Sequence, residues 1–483
     1  MNNNTTNNEK AYELSDLDNY LRKFPTYQVL KMVGSYSLKL FKEKTFFKTI
    51  PVKIGYKEYQ PKITSNGLAY IAFRSISESN DGRNSKEFNL HSLLHCNDIF
   101  HQLDEPILHD GRVESLMLRI SHNQFPIWQE NHFRERVGRY YYLLSNYDFK
   151  KITGFSLRDY ILSGLKIFEL VYQKNCPYFS YSEIENIQSN KNQIKKFLDV
   201  ASANYWDIRK KEERAKTFSK YEKYKFNPLL VYPIIKGDDN FNYYNDYQFF
   251  IPSILLLLNK VITGPYWIVR DYYKEKDSKD FLDPFGHTFK EYTGDILKHC
   301  FENEKIHDLD EKHKDIDSKK ADWWVELKDV DLIFECKASL FPQRIKQKFN
   351  LQEFEKWLQE RDFSKAVNQL LETESLLPNK KKQKYFILVT LEDFYLSEVP
   401  EIKKLISNEI DKFYTLKVAD LEKLKPWVEK YGIKEIFKKK KEIDKKKSQK
   451  EGREIIDAAK KIDKSIQPKN DFLQEVCNEL FRK

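Results

Sequence analysis

A short stretch in the C-terminal half of the chain holds the residues best suited to chemistry. Two runs rich in aromatic and β-branched residues, 323–327 and 332–336, flank a polar break, which is the pattern of a β-hairpin. Glu335 and Lys337 project from the same face of the second strand because side chains alternate along it, and the hairpin can bring Asp322 beside them. Two carboxylates and an ammonium at one strand end are suited to bind a divalent cation and to hold a positive charge near an attacking water.

This pattern resembles the PD-(D/E)xK nuclease superfamily, which has a restriction-endonuclease-like core. The matching residues are Asp322 and the triplet Glu335-Cys336-Lys337, while Ala321 stands where the family has a proline. The resemblance implies Mg²⁺ or Mn²⁺ as the cofactor, held by Asp322, Glu335 and the peptide carbonyl of Cys336. It also implies that Lys337 orients the attacking water and that the reaction is hydrolysis of a phosphodiester bond in DNA. An RNA substrate stays open.

The elements around the hairpin are predicted in the order helix, strand, strand, strand, helix, strand. A helix begins near position 283, and the charged stretch 303–320 predicts a loop or an edge strand plus a loop. Residues 351–377 predict one or two helices, and the apolar run 384–390 is typical of a strand buried on both faces. This αβββαβ order is that of the superfamily core, and the resemblance covers about 281–395.

Two further site candidates follow from their position in that resemblance. Glu291 lies on the first helix, where many of these nucleases have a glutamate that reaches the metal, although Asp295 one turn later is a rival. Gln369, four residues after Lys365, lies where related nucleases often have a glutamine or lysine near the metal and the scissile phosphate. The alternative for both candidates is an ordinary position on a helix surface.

Composition restricts the class of protein. The chain has 483 residues, and 83 Lys and Arg exceed 73 Asp and Glu, giving a net charge of +10, which suits a polyanionic partner. Five separate cysteines with no CxxC pair predict reduced thiols. The polar N-terminus lacks a signal-peptide pattern, and the longest apolar run, 249–258, falls short of the roughly 20 residues that span a bilayer. We therefore expect a cytoplasmic protein with no membrane partner.

The expected fold class is multidomain α+β, with the restriction-endonuclease-like αβββαβ core preceded by a mixed, largely helical N-terminal region. Residues 1–10 are predicted to be a disordered tail, and 11–275 to form one or two α+β domains for recognition or regulation. Residues 281–437 are the expected nuclease domain. Residues 438–483 are the expected lysine-rich linker and C-terminal helix.

Other features of the N-terminal region each have two interpretations. Short strand-like runs are predicted at 27–33, 51–56 and 68–73. The run 134–142 interleaves arginines with tyrosines, which is typical of nucleic-acid surfaces but also of ordinary helix packing. His91 and His95 have a spacing that could hold a metal on one helix face, although no glutamate follows the first histidine as in a metalloprotease.

The sequence thus leads to the hypothesis of a Mg²⁺-dependent DNA endonuclease. Its large N-terminal region looks like that of restriction or anti-phage defence proteins, which is an analogy of architecture. Two alternatives remain open. One is a non-catalytic nucleic-acid-binding module on a degenerate nuclease fold, and the other is a protein-interaction module whose hairpin charges are surface pairs. Cleavage specificity, a homo-oligomeric state and a partner defence protein are not determined by the sequence.

Overall fold

A computed structural model of the protein divides the chain into two compact units, which are described separately. The N-terminal unit contains the described residues up to 133 and 148–268, and the C-terminal unit contains 134–147 and the described residues from 269 onward. The structure describes residues 12–45, 47–54, 57–78, 86–103, 130–187, 191–214, 227–237, 248–275, 281–314, 320–340, 351–360, 363–378, 381–392, 412–445, 455–468 and 470–482. The predicted tail, 1–10, lies outside these ranges.

Helices outnumber strands in both units. The helices are α1 (Leu14–Leu21), α2 (Thr26–Lys42), α3 (Ser65–Ser77), α4 (Leu90–Leu103), α5 (Glu130–Leu144), α6 (Phe149–Thr153), α7 (Leu157–Lys174), α8 (Tyr181–Glu185), α9 (Lys191–Ala201), α10 (Tyr205–Arg214), α11 (Ile254–Ile262), α12 (Gly264–Glu275), α13 (Leu282–Cys300), α14 (Leu309–Lys312), α15 (Leu351–Glu360), α16 (Phe363–Thr373), α17 (Val418–Leu421), α18 (Lys425–Tyr431), α19 (Ile433–Lys445), α20 (Ile455–Ile462) and α21 (Asp471–Phe481). The strands are β1 (Phe47–Thr49), β2 (Val52–Ile54), β3 (Lys57–Tyr59), β4 (Lys62–Thr64), β5 (Tyr178–Phe179), β6 (Ser202–Ala203), β7 (Ile234–Lys236), β8 (Phe249–Phe250), β9 (Lys305–Asp308), β10 (Trp323–Glu326), β11 (Val330–Lys337), β12 (Gln383–Thr390) and β13 (Phe413–Lys417).

The N-terminal unit packs helices around an apolar core and carries short sheets. The buried side chains of α2, α3 and α4 form much of this core, with Val29, Phe73 and Ile99 as examples. Its larger sheet has the strand order β5-β8-β7-β6. The strand-like interpretation of 27–33 and 68–73 is wrong, because these runs lie in α2 and α3. Both runs are largely apolar, and such a run does not separate a strand from a buried helix.

His95 has a packing role within this unit. Its ring meets the ring of Tyr20 edge-on, with 4.5 Å between the centroids, and burial lowers its pKa. Among the described residues no group of three or more His, Cys, Asp or Glu side chains could hold a metal ion. His95 thus packs against aromatic side chains, whereas His91 is exposed.

The C-terminal unit is built around a five-stranded mixed sheet with the order β13-β12-β11-β10-β9. Strands β9, β10 and β11 are antiparallel, whereas β11–β12 and β12–β13 are parallel pairs. The apolar run predicted as a doubly buried strand is β12, which lies inside the sheet between β11 and β13. The predicted order of elements is present as α13, β9, β10, β11, α15 with α16, and β12. The molecule is thus of the mixed α+β class.

Helices cover both faces of this sheet. Trp323 and Trp324 are consecutive residues of β10, so their side chains point to opposite faces. Trp323 lies against α13 at Gly294. Trp324 joins a core cluster with Ile333 and with Leu370 of α16. The adjacent tryptophans therefore fix the two helical layers to the strand that follows Asp322.

Gly294 is the point where α13 comes closest to the sheet. A Cβ atom added at Gly294 would overlap the indole ring of Trp323. We expect Gly294→Ala to lower the free energy of unfolding by about 1–3 kcal/mol, since the helix or the ring must move. Gly286, two turns earlier on α13, has open space around it, so Gly286→Ala should raise stability by about 0.5–1 kcal/mol. Urea denaturation of both variants tests this, and similar stabilities for the two would contradict the close approach.

Three segments differ from the predicted domain plan. Residues 134–147 belong to the C-terminal unit, although the sequence suggested a region 11–275 ending before the nuclease domain. Part of the lysine run that was expected to be a linker is helical, because α19 continues to Lys445. The expected C-terminal helix is present as two helices, α20 and α21. In the described ranges, none of the helices has the length and apolar character needed to cross a membrane.

The run 134–142 packs inside its unit. The guanidinium of Arg139 is buried and donates two hydrogen bonds of 2.6 Å to the carboxylate of Glu422. Arg134 lies over the ring of Phe481, with 5.5 Å to its centroid. Because Arg139 is buried and paired with a carboxylate, helix packing accounts for this residue, and the nucleic-acid interpretation fails for Arg139.

Candidate active site

The hairpin of β10 and β11 brings Asp322 and Glu335 side by side. The antiparallel register pairs Trp323 with Phe334. Asp322, which precedes Trp323, therefore lies next to Glu335, which follows Phe334. The N–H of Asp322 donates to the carbonyl oxygen of Phe334 at 3.0 Å. The N–H of Cys336 donates to Oδ2 of Asp322 at 2.7 Å. The backbone of the hairpin therefore orients the Asp322 carboxylate toward the end of β11.

Glu335 is the most unusual group of this site. Its side chain is buried, with 3% of the residue exposed, and Oε1 lies 3.3 Å from Nζ of Lys337. Its other oxygen, Oε2, is buried and has no hydrogen-bond partner in the part of the chain that the structure describes. A buried carboxylate oxygen without a partner is costly, and native proteins rarely keep one without a reason. A ligand that supplies positive charge would remove this cost.

The electrostatics of Glu335 and Asp322 also favour a positively charged ligand. Burial raises the pKa of the Glu335 carboxyl well above its usual value, the charge of Asp322 raises it further, and Lys337 lowers it. Burial also raises the pKa of Asp322, whereas the hydrogen bond from Cys336 and the charge of Lys290 act to lower it. When two carboxylates lie close together in a buried site, the charge of each disfavours ionisation of the other. A cation between them stabilises both in the charged form.

Lys290, on α13, is a member of the site that the sequence did not indicate. Its ammonium is buried and lies 2.9 Å from Oδ1 of Asp308 and 2.7 Å from Oδ2 of Asp310. Its carbonyl accepts a hydrogen bond of 3.0 Å from the indole N–H of Trp323. Burial lowers the pKa of Lys290, but the hydrogen bonds to the two aspartates outweigh this and hold it above the usual value. A fixed positive charge therefore lies on the α13 side of Asp322.

Glu291 does not join the other predicted site residues. Its side chain is 53% exposed and its Oε1 lies 3.3 Å from Nε2 of His287, one turn earlier on the same helix. No described contact links it to Asp322 or Glu335. Its neighbour Lys290 faces the site instead. The rival candidate Asp295 accepts a hydrogen bond from Tyr142.

Gln369 forms a hydrogen bond with the backbone of the segment that precedes Asp322. Its Nε2 donates to the carbonyl of Lys320 at 2.9 Å. One turn later on α16, the hydroxyl of Thr373 accepts a hydrogen bond of 2.8 Å from the N–H of Ala321. These two contacts attach the chain that leads into β10 to helix α16. In this structure Gln369 is thus a positioning residue rather than one that faces the carboxylates.

The donor set fits a divalent cation that takes few protein ligands. Asp322 and Glu335 supply carboxylate oxygens, and the unpaired Oε2 of Glu335 is available to a ligand. The N–H and the carbonyl of one strand residue point to the same neighbouring strand. The carbonyl of Cys336 therefore points to the edge on which its N–H meets Asp322. Mg²⁺ is commonly held by one or two carboxylates, with water and substrate phosphate completing its octahedral shell.

Comparison of the chain with models of protein families, with curated proteins and with solved structures finds no match.

Proposed function

We propose that the C-terminal unit is a Mg²⁺- or Mn²⁺-dependent nuclease with a restriction-endonuclease-like core, and that it hydrolyses phosphodiester bonds in DNA. One observation carries the proposal. Glu335 is buried with an unpaired carboxylate oxygen, beside Asp322 and 3.3 Å from the ammonium of Lys337. The mixed sheet and the order of its elements support the same core.

The residues of the hairpin have distinct roles in this proposal. Asp322, Glu335 and the carbonyl of Cys336 would hold the cation, which when bound lowers the pKa of a water and neutralises charge on the phosphate. The N–H of Cys336 keeps the Asp322 carboxylate in its orientation. Lys337, which is 23% exposed, places its ammonium at the open end of the pair, where it can orient the attacking water and stabilise the charge that develops on the phosphate.

Supporting residues hold this arrangement from both helical layers. Lys290 supplies a fixed positive charge near Asp322, and Asp308 and Asp310 keep its ammonium in place. Gln369 and Thr373 hold the chain just before Asp322. Because a displacement of about 1 Å can cost a hundredfold in rate, such positioning contacts matter as much as the reacting groups.

The proposal is tested first by cleavage. Purified protein incubated with plasmid and with linear DNA is expected to cut in Mg²⁺ or Mn²⁺ and not in EDTA. A structured RNA tested in parallel decides between the two nucleic acids. Absence of cutting with every one of these metals and substrates would contradict the proposal and favour a non-catalytic module.

Metal binding gives a second readout that does not depend on activity. At a metal concentration of 100 Kd the wild-type protein should gain about 2.7 kcal/mol of unfolding free energy, and Glu335→Gln should lose this gain. Glu326→Gln is the matched control, since Glu326 lies on the same hairpin and pairs with His307 instead. Thermal unfolding with and without Mg²⁺ measures both variants. An equal metal-induced gain in Glu335→Gln and in the control would exclude Glu335 as a ligand.

A further inference from the structure

A row of lysines lies on one exposed face of α2 in the N-terminal unit. We call Lys31, Lys39 and Lys42 the α2 lysine row. Their spacing places them on the same side of the helix, within roughly a quarter turn, over about 16 Å of its length. All three are exposed, and the helix contains no aspartate or glutamate. The row is therefore a linear surface of positive charge.

Each ammonium of the row lies over a tyrosine ring. The distances to the ring centroids are 5.1 Å for Lys31 over Tyr178, 5.7 Å for Lys39 over Tyr36 and 4.7 Å for Lys42 over Tyr172. Cation–π contacts of this kind hold a long side chain without neutralising its charge. The row is thus partly ordered before any partner binds.

Lys42 and its ring have additional support. Nζ of Lys42 donates a hydrogen bond to Oδ1 of Asn175 at 2.9 Å, and Asn175 caps the end of α7 in the left-handed conformation, with φ of 53°. Tyr172, the ring beneath Lys42, packs against Phe168 with 5.5 Å between the centroids and is itself 41% exposed. The C-terminal end of α7 therefore provides a platform for this end of the row.

Some other lysines of the same unit form ion pairs with carboxylates. Lys166 pairs with Glu169 at 2.5 Å, and Lys195 pairs with Glu185 at 2.5 Å. Lys48 likewise pairs with Glu43. In the described part of the chain, by contrast, no ion pair joins a carboxylate to any member of the α2 lysine row. The positive charge of the row is thus available to an external anion.

We infer that the α2 lysine row binds the sugar-phosphate backbone of duplex DNA, an inference that rests on the proposed nuclease function and assigns the N-terminal unit a part in holding the substrate. The ammonium groups cover the tyrosine faces, so the rings position the lysines rather than stack on bases. Lysines that meet phosphates supply affinity and register but read no base edges. The contact is therefore independent of DNA sequence and sensitive to salt.

Binding of a short fluorescent duplex to the full chain, followed by anisotropy in EDTA over a range of salt concentrations, tests the inference. The triple variant Lys31→Gln, Lys39→Gln, Lys42→Gln should bind roughly tenfold more weakly or worse at moderate salt. Its plot of log K against log salt should be shallower by about 2.7, which is about 0.9 for each lost phosphate contact. Circular dichroism and thermal unfolding show that the variant is folded.

Two matched variants complete the experiment. The first changes Lys166, Lys191 and Lys195 to glutamine, which removes the same charge from lysines that lie near glutamates, and it should retain most of the affinity and slope. The second changes the three lysines of the row to arginine and should bind like the wild type. Equal losses in the row variant and in the control with the paired lysines would overturn the inference, because general charge would then explain binding.

Different results would contradict DNA binding by the α2 lysine row and DNA cleavage by the C-terminal unit. A wild-type protein that binds DNA through the row but never cuts it would overturn the nuclease proposal and support the role of the row in DNA binding. If the wild type cuts DNA but the row variant binds it with unchanged affinity and salt slope, the row does not bind DNA. The nuclease proposal would then be unaffected.

Discussion

Replacing Lys337 with alanine is expected to reduce the rate of DNA cleavage by about 10²–10³-fold or more, with little effect on folding. The ammonium of Lys337 lies 3.3 Å from Oε1 of Glu335 and at the open end of the carboxylate pair. It can meet charge developing on the phosphate without also binding the cation. Its loss should therefore lower the catalytic rate more than it weakens metal or DNA binding.

Single-turnover cleavage at saturating DNA and Mg²⁺ separates these effects. Lys356→Ala is the control, because Lys356 is 74% exposed on α15 and its ammonium lies 3.9 Å from the carboxylate of Glu360. Lys337→Arg keeps the charge but changes its geometry and should recover only part of the rate. If Lys337→Ala cleaved as fast as the Lys356 variant, the assigned role of Lys337 would be wrong.

Replacing Glu422 with alanine is expected to cost about 3–5 kcal/mol of unfolding free energy, the largest stability loss that we predict. Glu422 is 1% exposed and accepts two hydrogen bonds of 2.6 Å from Arg139, one of 2.6 Å from Tyr292 and one of 2.7 Å from Asn470. These donors lie on α5, on α13 and just before α21. Removing the carboxylate leaves the guanidinium of Arg139 buried without its counter-charge.

Urea denaturation measures this loss. Glu435→Ala is the control, because Glu435 forms an exposed pair with Lys438 at 3.5 Å and should cost no more than about 0.5 kcal/mol. The double variant Arg139→Met, Glu422→Leu should regain much of the stability, since it removes both buried charges together. A loss for Glu422→Ala no larger than that of the control would show that the buried pair does not stabilise this unit.

The hairpin and its three charged residues could be predicted from the sequence because they depend on local rules. Side-chain alternation puts Glu335 and Lys337 on one face, and two short runs joined by a polar break can pair in few registers. The register that pairs Trp323 with Phe334 then brings Asp322 to Glu335. The strand β12 was predicted because the run 384–390 is short, bounded by polar residues and rich in β-branched and aromatic residues.

Local rules failed where a run was apolar without a clear period. Residues 68–73 lie in α3, and every residue of α3 from Leu68 to Ile76 is buried. When a helix is enclosed on most sides, its sequence loses the alternation between apolar and polar faces on which a prediction relies. Packing against the surrounding helices, rather than the run itself, determines whether these residues form a helix or a strand.

Only the tertiary structure decided which helix residues support the site. Helix α13 was predicted from the sequence, but Lys290 and Glu291 lie on different sides of it, and no local rule tells which side faces the hairpin. The close approach of Trp323 to Gly294 sets that rotation. Arg139 finds its partner 283 positions away, and Gln369 reaches the chain before Asp322 from another helix. The sequence by itself thus determined the charged groups of the hairpin, whose arrangement is local, whereas the groups that support them depend on contacts between residues far apart in the chain.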